Sequence, residues 1–544
     1  MTLLDWAIVV GINLTVFGYG LLRSSQTRTH VDWFLGGRSL PFWIVAVSMF
    51  ATSVDAGDIV ALSGISYTDG ISILSTWWMG VVIGYVVTAF FVLPPMYRGA
   101  MFTNAEYLEG RFGPGARVIS VLVQVQYRTN ILAGIAISLQ LMLTRVMGVE
   151  GFWAWAVVVA FAGMATFYSA RGGLKTIAWA DAFLTVSMVL GTLVLWVVVW
   201  QAVGGWEGAT AALAAKGGTE LPGYLLHIGA SRPGQPDALI VVAAWVIIGA
   251  AYPIVNHSET MKLLGARSLW DVKMSVLLAA AMTMVMMYFN GTLGILGRAL
   301  WPETLQRPDE IYPLLVNRFL GSGLKGIVVA GVVSAAMTTY EGIGSALSAL
   351  CTRDIYARLI ARDREDAHYL KVSRTVTPVV IGLSFLYIPF ILSYENIASF
   401  FVRVTSVFVI PLMTVYLMGV FTRVHRRSGI LGLAAGSTYG ILAIIGSSLG
   451  MLPVWLTDRF VAYLWSIAIT SGAMILSSLV LGRSEDRDAL ETEESGWLRR
   501  SQADVPEIQE SPFPDGVSSW WLQPHLWAGV VVATSFVLVF YFFW

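Results

Sequence analysis

Ser48-Met-Phe-Ala-Thr-Ser-Val-Asp-Ala-Gly-Asp58 lies inside residues 41–65, an otherwise apolar run long enough to cross a bilayer core. Thr52, Ser53, Asp55, Gly57 and Asp58 are poor helix-interior residues in combination, and Gly57 adds backbone freedom. The stretch therefore reads as a helix interrupted near mid-membrane. The bland alternative is a kinked but continuous helix whose polar groups re-satisfy themselves. A true break frees main-chain carbonyls and half-helix ends that can coordinate an ion or a polar solute. Asp55 and Asp58, three residues apart, fall on one helical face.

Similar runs recur along the whole chain. Hydrophobic residues make up 56% of the 544 and charged residues only 12%, where a soluble globule carries about a quarter charged. Apolar stretches predict about fourteen spans, near 4–22, 41–65, 74–97, 118–147, 152–170, 177–203, 237–256, 274–299, 324–350, 375–393, 397–421, 429–449, 459–482 and 526–544. Residues 1–22 lack a basic leader and a small-residue cleavage site, and read as a retained first span. Lys and Arg concentrate in alternate loops: Arg23, Arg28 and Arg38; Arg98, Arg111 and Arg117; Arg171 and Lys175; Lys262 and Arg267; Arg353 to Lys371; Arg423 to Arg427; Arg487 to Arg500. The positive-inside rule then puts both termini outside. The outside segments 204–236 and 300–322 are expected to hold short helices over the mouth. The stretch 484–524 reads as a cytoplasmic linker before a peripheral last helix.

Net charge is zero, which gives no reason to expect a nucleic-acid partner; the partners expected are the lipid bilayer and a small solute. One cysteine, Cys351, excludes an internal disulfide framework. Six scattered histidines form no metal-ligand spacing, and His257 reads as a polar cap at a helix end. With no nucleophile–base pair or metal cluster in the pattern, a membrane enzyme is disfavoured.

An ionisable side chain inside a span is costly and marks a functional site by default. Asp55, Asp58, Arg128, Asp181, Glu341 and Arg403 all fall within predicted spans. Ion pairs that only lock helices together are the plain explanation for any one of them. Four acids and two bases on separate helices fit a polar cavity better. In the ninth span Ala335, Thr338 and Thr339 share a face, and two hydroxyls beside a carbonyl are hard oxygen donors for a small cation. A Thr pair alone is usually bonded back to its own turn.

Several ordered stretches resemble the sodium/solute symporter family. They are Trp33-Phe-Leu-Gly-Gly-Arg-Ser-Leu-Pro-Phe42 leading into Ser48–Ser53, Glu106-Tyr-Leu-Glu-Gly-Arg-Phe-Gly113, Gly172-Gly-Leu-Lys-Thr-Ile-Ala-Trp-Ala-Asp181, and Ala335-Ala-Met-Thr-Thr339 continuing to Thr352-Arg-Asp-Ile-Tyr356. The resemblance, over about residues 1–480, implies an all-α polytopic protein of the leucine-transporter type. Its core would be two inverted five-helix repeats, 41–203 and 237–422. Residues 1–40, 423–483 and 525–544 would be peripheral. It implies symport of sodium with a small polar organic solute across the inner membrane, by alternating access. The shared sodium site would map to the carbonyls of Ala51, Val54 and Ala335 and the hydroxyls of Thr338 and Thr339, with Asp181 on the sodium route. A second sodium is disfavoured, because Glu341 and Gly342 stand where hydroxyls follow; Glu341 or another acid could carry a proton instead. Ser53, Asp55, Asp58, Trp77, Arg128, Tyr252, Glu341 and Arg403 are the candidate solute contacts. Trp77, Gly80 and Gly249 stand where sugar-carrying members place polar partners, so a hexose is not favoured. Arg128 and Arg403 suggest a carboxylate-bearing solute. A neutral sugar or polyol, or proton coupling, is the alternative.

Overall fold

The computed structural model describes residues 1–23, 29–230, 236–301, 305–362, 364–394, 397–458, 460–482, 508–513 and 519–544. Among them the chain is helical, with one isolated bridge between Leu40 and Ala266. The principal helices are α1 (Leu3–Arg23), α2 (Phe42–Ser53), α3 (Ala56–Asp69), α4 (Ile71–Val87), α5 (Pro114–Arg145), α6 (Gly151–Val203), α7 (Ala238–Val255) and α8 (His257–Leu264). The chain continues through α9 (Leu269–Leu300), α10 (Leu324–Ala349), α11 (Asp366–Ser384), α12 (Ile397–Phe421), α13 (Ser428–Ser448), α14 (Val461–Leu481) and α15 (Pro524–Val537).

A helix stands at each of the fourteen expected positions, but length and apolarity together pass a smaller number. Ten helices qualify as spans, and the α2–α3 pair, bent by 53° at its break, makes eleven. Those that miss are α5, which carries Arg117, Gln124, Gln126 and Arg128, and two short apolar helices, 151–167 and 407–421. The count of fourteen therefore rests on helix positions and not on hydropathy. α6 joins two expected spans across Gly173, whose φ of 65° is a left-handed value that glycine adopts without strain.

Both chain ends reach one face. Asp5 of α1 accepts the backbone N–H groups of Gly323 and Gly326, at 2.7 and 2.9 Å. The Phe543 carbonyl accepts the Ile228 N–H at 2.6 Å. The segments expected to hold short helices contain Gly205–Gly217, Glu220–Leu226 and Ile311–Phe319. Of the expected linker, 483–507 and 514–518 lie outside the described residues. Gln509 and Glu510 lie against α9, their carbonyls accepting the N–H groups of Leu269 and Trp270.

At the centre, α2, α3, α8 and α10 meet. α10 is buried along most of its length, Gly326 to Ala349. α4 packs on α7 through a glycine seam. A Cβ on Gly80 would meet the Val246 carbonyl at 2.4 Å, and one on Gly249 would meet the Trp77 carbonyl at 2.3 Å. These two glycines, which the sequence reading set at vacated sugar-binding positions, hold two backbones in contact.

Candidate functional site

The interrupted segment is a real break. α2 ends at Ser53, Val54 has φ −111° and ψ 89°, and Asp55 is extended at φ −95° and ψ 175°. Ending a helix frees its last carbonyls, and starting the next leaves N–H donors unmet, which hydrocarbon cannot satisfy. Side chains of this protein supply both needs. Asp55 is the N-cap of α3 and Asp58 its third residue. The Asp58 N–H donates to Asp55 Oδ1 at 2.8 Å and the Asp55 N–H to Asp58 Oδ2 at 3.3 Å, a reciprocal capping box. The two acids thus begin the second half-helix and do not stud the interior of a continuous one.

The freed carbonyls face α10 and α8. Thr338 Oγ1 donates to the Ala51 carbonyl at 2.8 Å and to the Ala335 carbonyl at 3.0 Å, and Thr339 Oγ1 donates to the Ala335 carbonyl at 3.1 Å. Ala51, Val54, Ala335, Thr338 and Thr339 are all fully or almost fully buried. Close approach here needs Gly342, where a Cβ would come within 2.9 Å of Thr52 Oγ1. The result is a concentration of neutral oxygens at the negative end of a half-helix, an arrangement that favours a small hard cation. Sodium held there would be cargo.

Asp181, expected on the sodium route, is fully buried in a contact the sequence reading missed. Lys262, assigned there to an inside loop, is 1% exposed. Its Nζ donates to the Ser48 carbonyl at 2.5 Å, to Asp181 Oδ2 at 2.9 Å and to Thr52 Oγ1. Ser48 Oγ also donates to Asp181, at 2.5 Å. A tethered ammonium therefore lies one helical turn from the oxygen cluster. It reaches that place because the chain breaks a second time. α7 ends at Val255, Asn256 (φ −76°, ψ 106°) separates it from α8, and the Asn256 side chain caps the Ser258 N–H at 3.1 Å. His257, read as a cap at a helix end, is instead the first residue of this half-helix, its N–H donated to Gln124 Oε1 at 3.0 Å. The signal was present in the sequence: Pro253, then Asn256, with Glu259 three residues on, is a stop followed by a helix start.

A cavity of about 950 Å³, counting its open mouth, adjoins the first break. Ser53, Asp55 and Asp58 line it, as does Asn130 of α5. Its walls include Trp77, Trp78, Trp245, Tyr252 and Phe401. Asp55, Gly57 and Asp58 keep some exposure while their flanking residues are buried, so they face this space. Ser53 Oγ also bonds Tyr85 Oη at 2.6 Å and donates to Glu259 Oε1 at 3.0 Å.

Of the expected solute contacts, the fold thus gathers Ser53, Asp55, Asp58, Trp77 and Tyr252 around one cavity. It leaves three out of the lining. Arg128 is 3% exposed, donates Nη2 to Ser258 Oγ at 2.9 Å, and lies over the rings of Tyr127 and Tyr252 at 5.4 and 5.6 Å. Glu341 is fully buried in α10. Arg403 is exposed on α12 and is absent from the lining, which Phe401 reaches from that turn among the described residues.

A family model described as the sodium:solute symporter family matches residues 33–440. A sodium/glucose cotransporter of Vibrio parahaemolyticus is 23% identical over 80% of this chain and 82% of its own. The human sodium/myo-inositol cotransporter 2 is 26% identical over 81% of this chain and 70% of its own. A Na+-coupled sialic acid symporter, solved in a substrate-bound outward-open state, superposes with a TM-score of 0.76 at 17% identity, covering 89% of this chain and 99% of that one. A nucleobase-cation-symport-1 family transporter in a closed conformation gives a TM-score of 0.57 at 12% identity over 85% of this chain.

Proposed function

The chain belongs to the sodium:solute symporter family, a membrane protein with sodium as its co-transported ion, and on that premise we propose how its own residues couple ion to solute. Sodium binds among the carbonyls of Ala51, Val54 and Ala335 and the hydroxyls of Thr338 and Thr339. The observation that carries this is the Thr338 hydroxyl 2.8 Å from the Ala51 carbonyl, four residues before the capping acid Asp55 that lines the cavity. One break therefore serves both sites. An ion that fixes α2 against α10 also fixes Ser53 and Asp55 for the solute, and reciprocity makes each ligand tighten the other. Rocking of one helix bundle against the other would then expose both to the opposite side. Each charge moving down the membrane potential contributes about 2.3 kcal/mol per 100 mV.

The cargo is a small polar organic solute, and the membrane is the cell's inner membrane. A neutral sugar or polyol is the second reading, supported by the names of the two relatives above. Against it, Gly80 and Gly249 offer no side-chain partner for a hydroxyl. The carboxylate-bearing solute expected from Arg128 and Arg403 loses its support, since neither arginine lines the cavity. Proteoliposome uptake with an imposed sodium gradient, and with potassium in place of sodium at fixed pH, tests the coupling. Accumulation above equilibrium with sodium alone is expected. Equal uptake in both salts contradicts it.

A further inference from the structure

The cavity beside the first break has a chemical character that the family assignment does not supply. Among the described residues, the charged side chains in its lining are Asp55 and Asp58. Each spends one oxygen on the other's backbone N–H, which leaves each a second oxygen. Behind them Arg128 acts on both acids electrostatically.

Part of the wall is aromatic. Trp77 and Trp245 lie 5.8 Å apart between ring centroids, and Trp77 and Phe401 6.5 Å apart. Rings facing a common space attract a cation through their quadrupoles, most strongly where water is excluded. One further polar group points to a ligand. Asn130, 2% exposed, lines the cavity, and its Nδ2 meets no hydrogen-bond partner among the described residues. An unmet buried donor is costly unless something binds there.

Resting on the symport reading above, we propose that the solute is an organic cation: an amine or quaternary ammonium whose charged nitrogen sits between Asp55–Asp58 and the Trp77–Trp245–Phe401 wall, with an oxygen acceptor on its body for Asn130 Nδ2. A neutral sugar would bring no charge to the two acids of the lining, and a simple anion would meet them with like charge.

The test uses the purified full chain in detergent and three probes of one shape, each with a methoxy oxygen on the ring: 2-(4-methoxyphenyl)ethylammonium, 2-(4-methoxyphenyl)ethanol and 3-(4-methoxyphenyl)propionate, with glucose beside them. Thermal unfolding is followed for each in sodium and in potassium. The ammonium probe is expected to raise the midpoint, and more in sodium than in potassium, while the other three do not. Asp55→Asn and Asp58→Asn keep a capping side chain, so they are expected to fold and still respond to sodium alone, but to lose at least tenfold in affinity for the ammonium probe. Absence of a sodium-enhanced shift with that probe overturns the organic-cation assignment. If glucose or an uncharged or anionic probe gives the shift instead, symport stands and only the solute class falls. If sodium alters neither the midpoint nor the binding of any probe, the symport reading itself fails.

Discussion

Two buried clusters of charge in this molecule are built on opposite plans. Near the positively charged face, Glu106, Glu109 and Asp354 meet Arg117, Arg353 and Arg358. Arg117 bridges all three acids, Arg353 bonds Glu106 at 3.2 Å, and Arg358 bonds Glu109 at 2.9 Å. Three acids meet three bases. Around the first helix break Asp55 and Asp58 cap each other's backbone and line the cavity, and Lys262 is shared among Asp181, the Ser48 carbonyl and the Thr52 hydroxyl. Charges that hold helices together are paired with one another, whereas ionisable groups facing a cavity inside a span mark a ligand pathway. The difference separates scaffold from site more sharply than burial does, since Asp181, Glu259 and Lys262 beside the break are as buried as Arg117.

Removing the hub of the balanced cluster carries the largest expected effect. Arg117→Met strands Asp354 and leaves Glu106 and Glu109 with one arginine each, and loss of one partner from a buried network costs about 3–5 kcal/mol. A large fall in thermal midpoint is predicted, the same in sodium and in potassium. A deficit that sodium relieves would break the contrast between the clusters. Lys262→Met is the matched change at the other cluster and leaves Asp181 without its ammonium. The loss in potassium should be of similar size, about 3 kcal/mol, but a nearby sodium ion can replace the missing charge. At a hundredfold excess over its dissociation constant a ligand returns about 2.7 kcal/mol. Sodium is therefore predicted to raise the midpoint more in Lys262→Met than in the unsubstituted protein. Equal sodium shifts in the two would place Lys262 with the scaffold.

A smaller effect concerns Asp309, which lies outside the spans and packs against Gly64 of α3. It is 6% exposed, its Oδ2 accepts the Ile397 N–H at 3.1 Å, and burial pushes its carboxyl up to about 7. The folded protein then holds a proton that the unfolded chain, titrating near 3.8, releases. Stability from this group is fully present below the unfolded value and is lost as pH rises toward 7. Between about pH 5 and 7 the protein should lose on the order of 1 kcal/mol per unit through this group, and Asp309→Asn should flatten that slope. An unchanged slope would remove Asp309 from the account.

The first break was legible because Thr52, Ser53, Asp55, Gly57 and Asp58 crowd poor helix formers into an apolar run. The fold places the hydroxyls of Thr338 and Thr339 beside it, a pairing across 287 residues that spacing within one helix could not supply and that entered through the family resemblance. The second break was hidden. Pro253 sits in a segment apolar enough to read as one span, and Lys262 beyond it counts as a loop charge until the half-helix turns it inward. Arg403, read at mid-span as a solute contact, is exposed and outside the cavity's lining; a hydropathy window fixes depth but not azimuth. The ion-pair hub at Arg117 was likewise invisible, because its partners come from Glu106, Glu109 and the distant Asp354.

The sodium dependence of Thr339→Ala tests the central claim most directly. Solute uptake into proteoliposomes, titrated with sodium at fixed membrane potential, should show at least a tenfold weaker apparent affinity for sodium in the variant, with the thermal midpoint in potassium shifted by no more than about 1 kcal/mol of stability. A sodium curve that overlays that of the unsubstituted protein would mean the ion is held elsewhere.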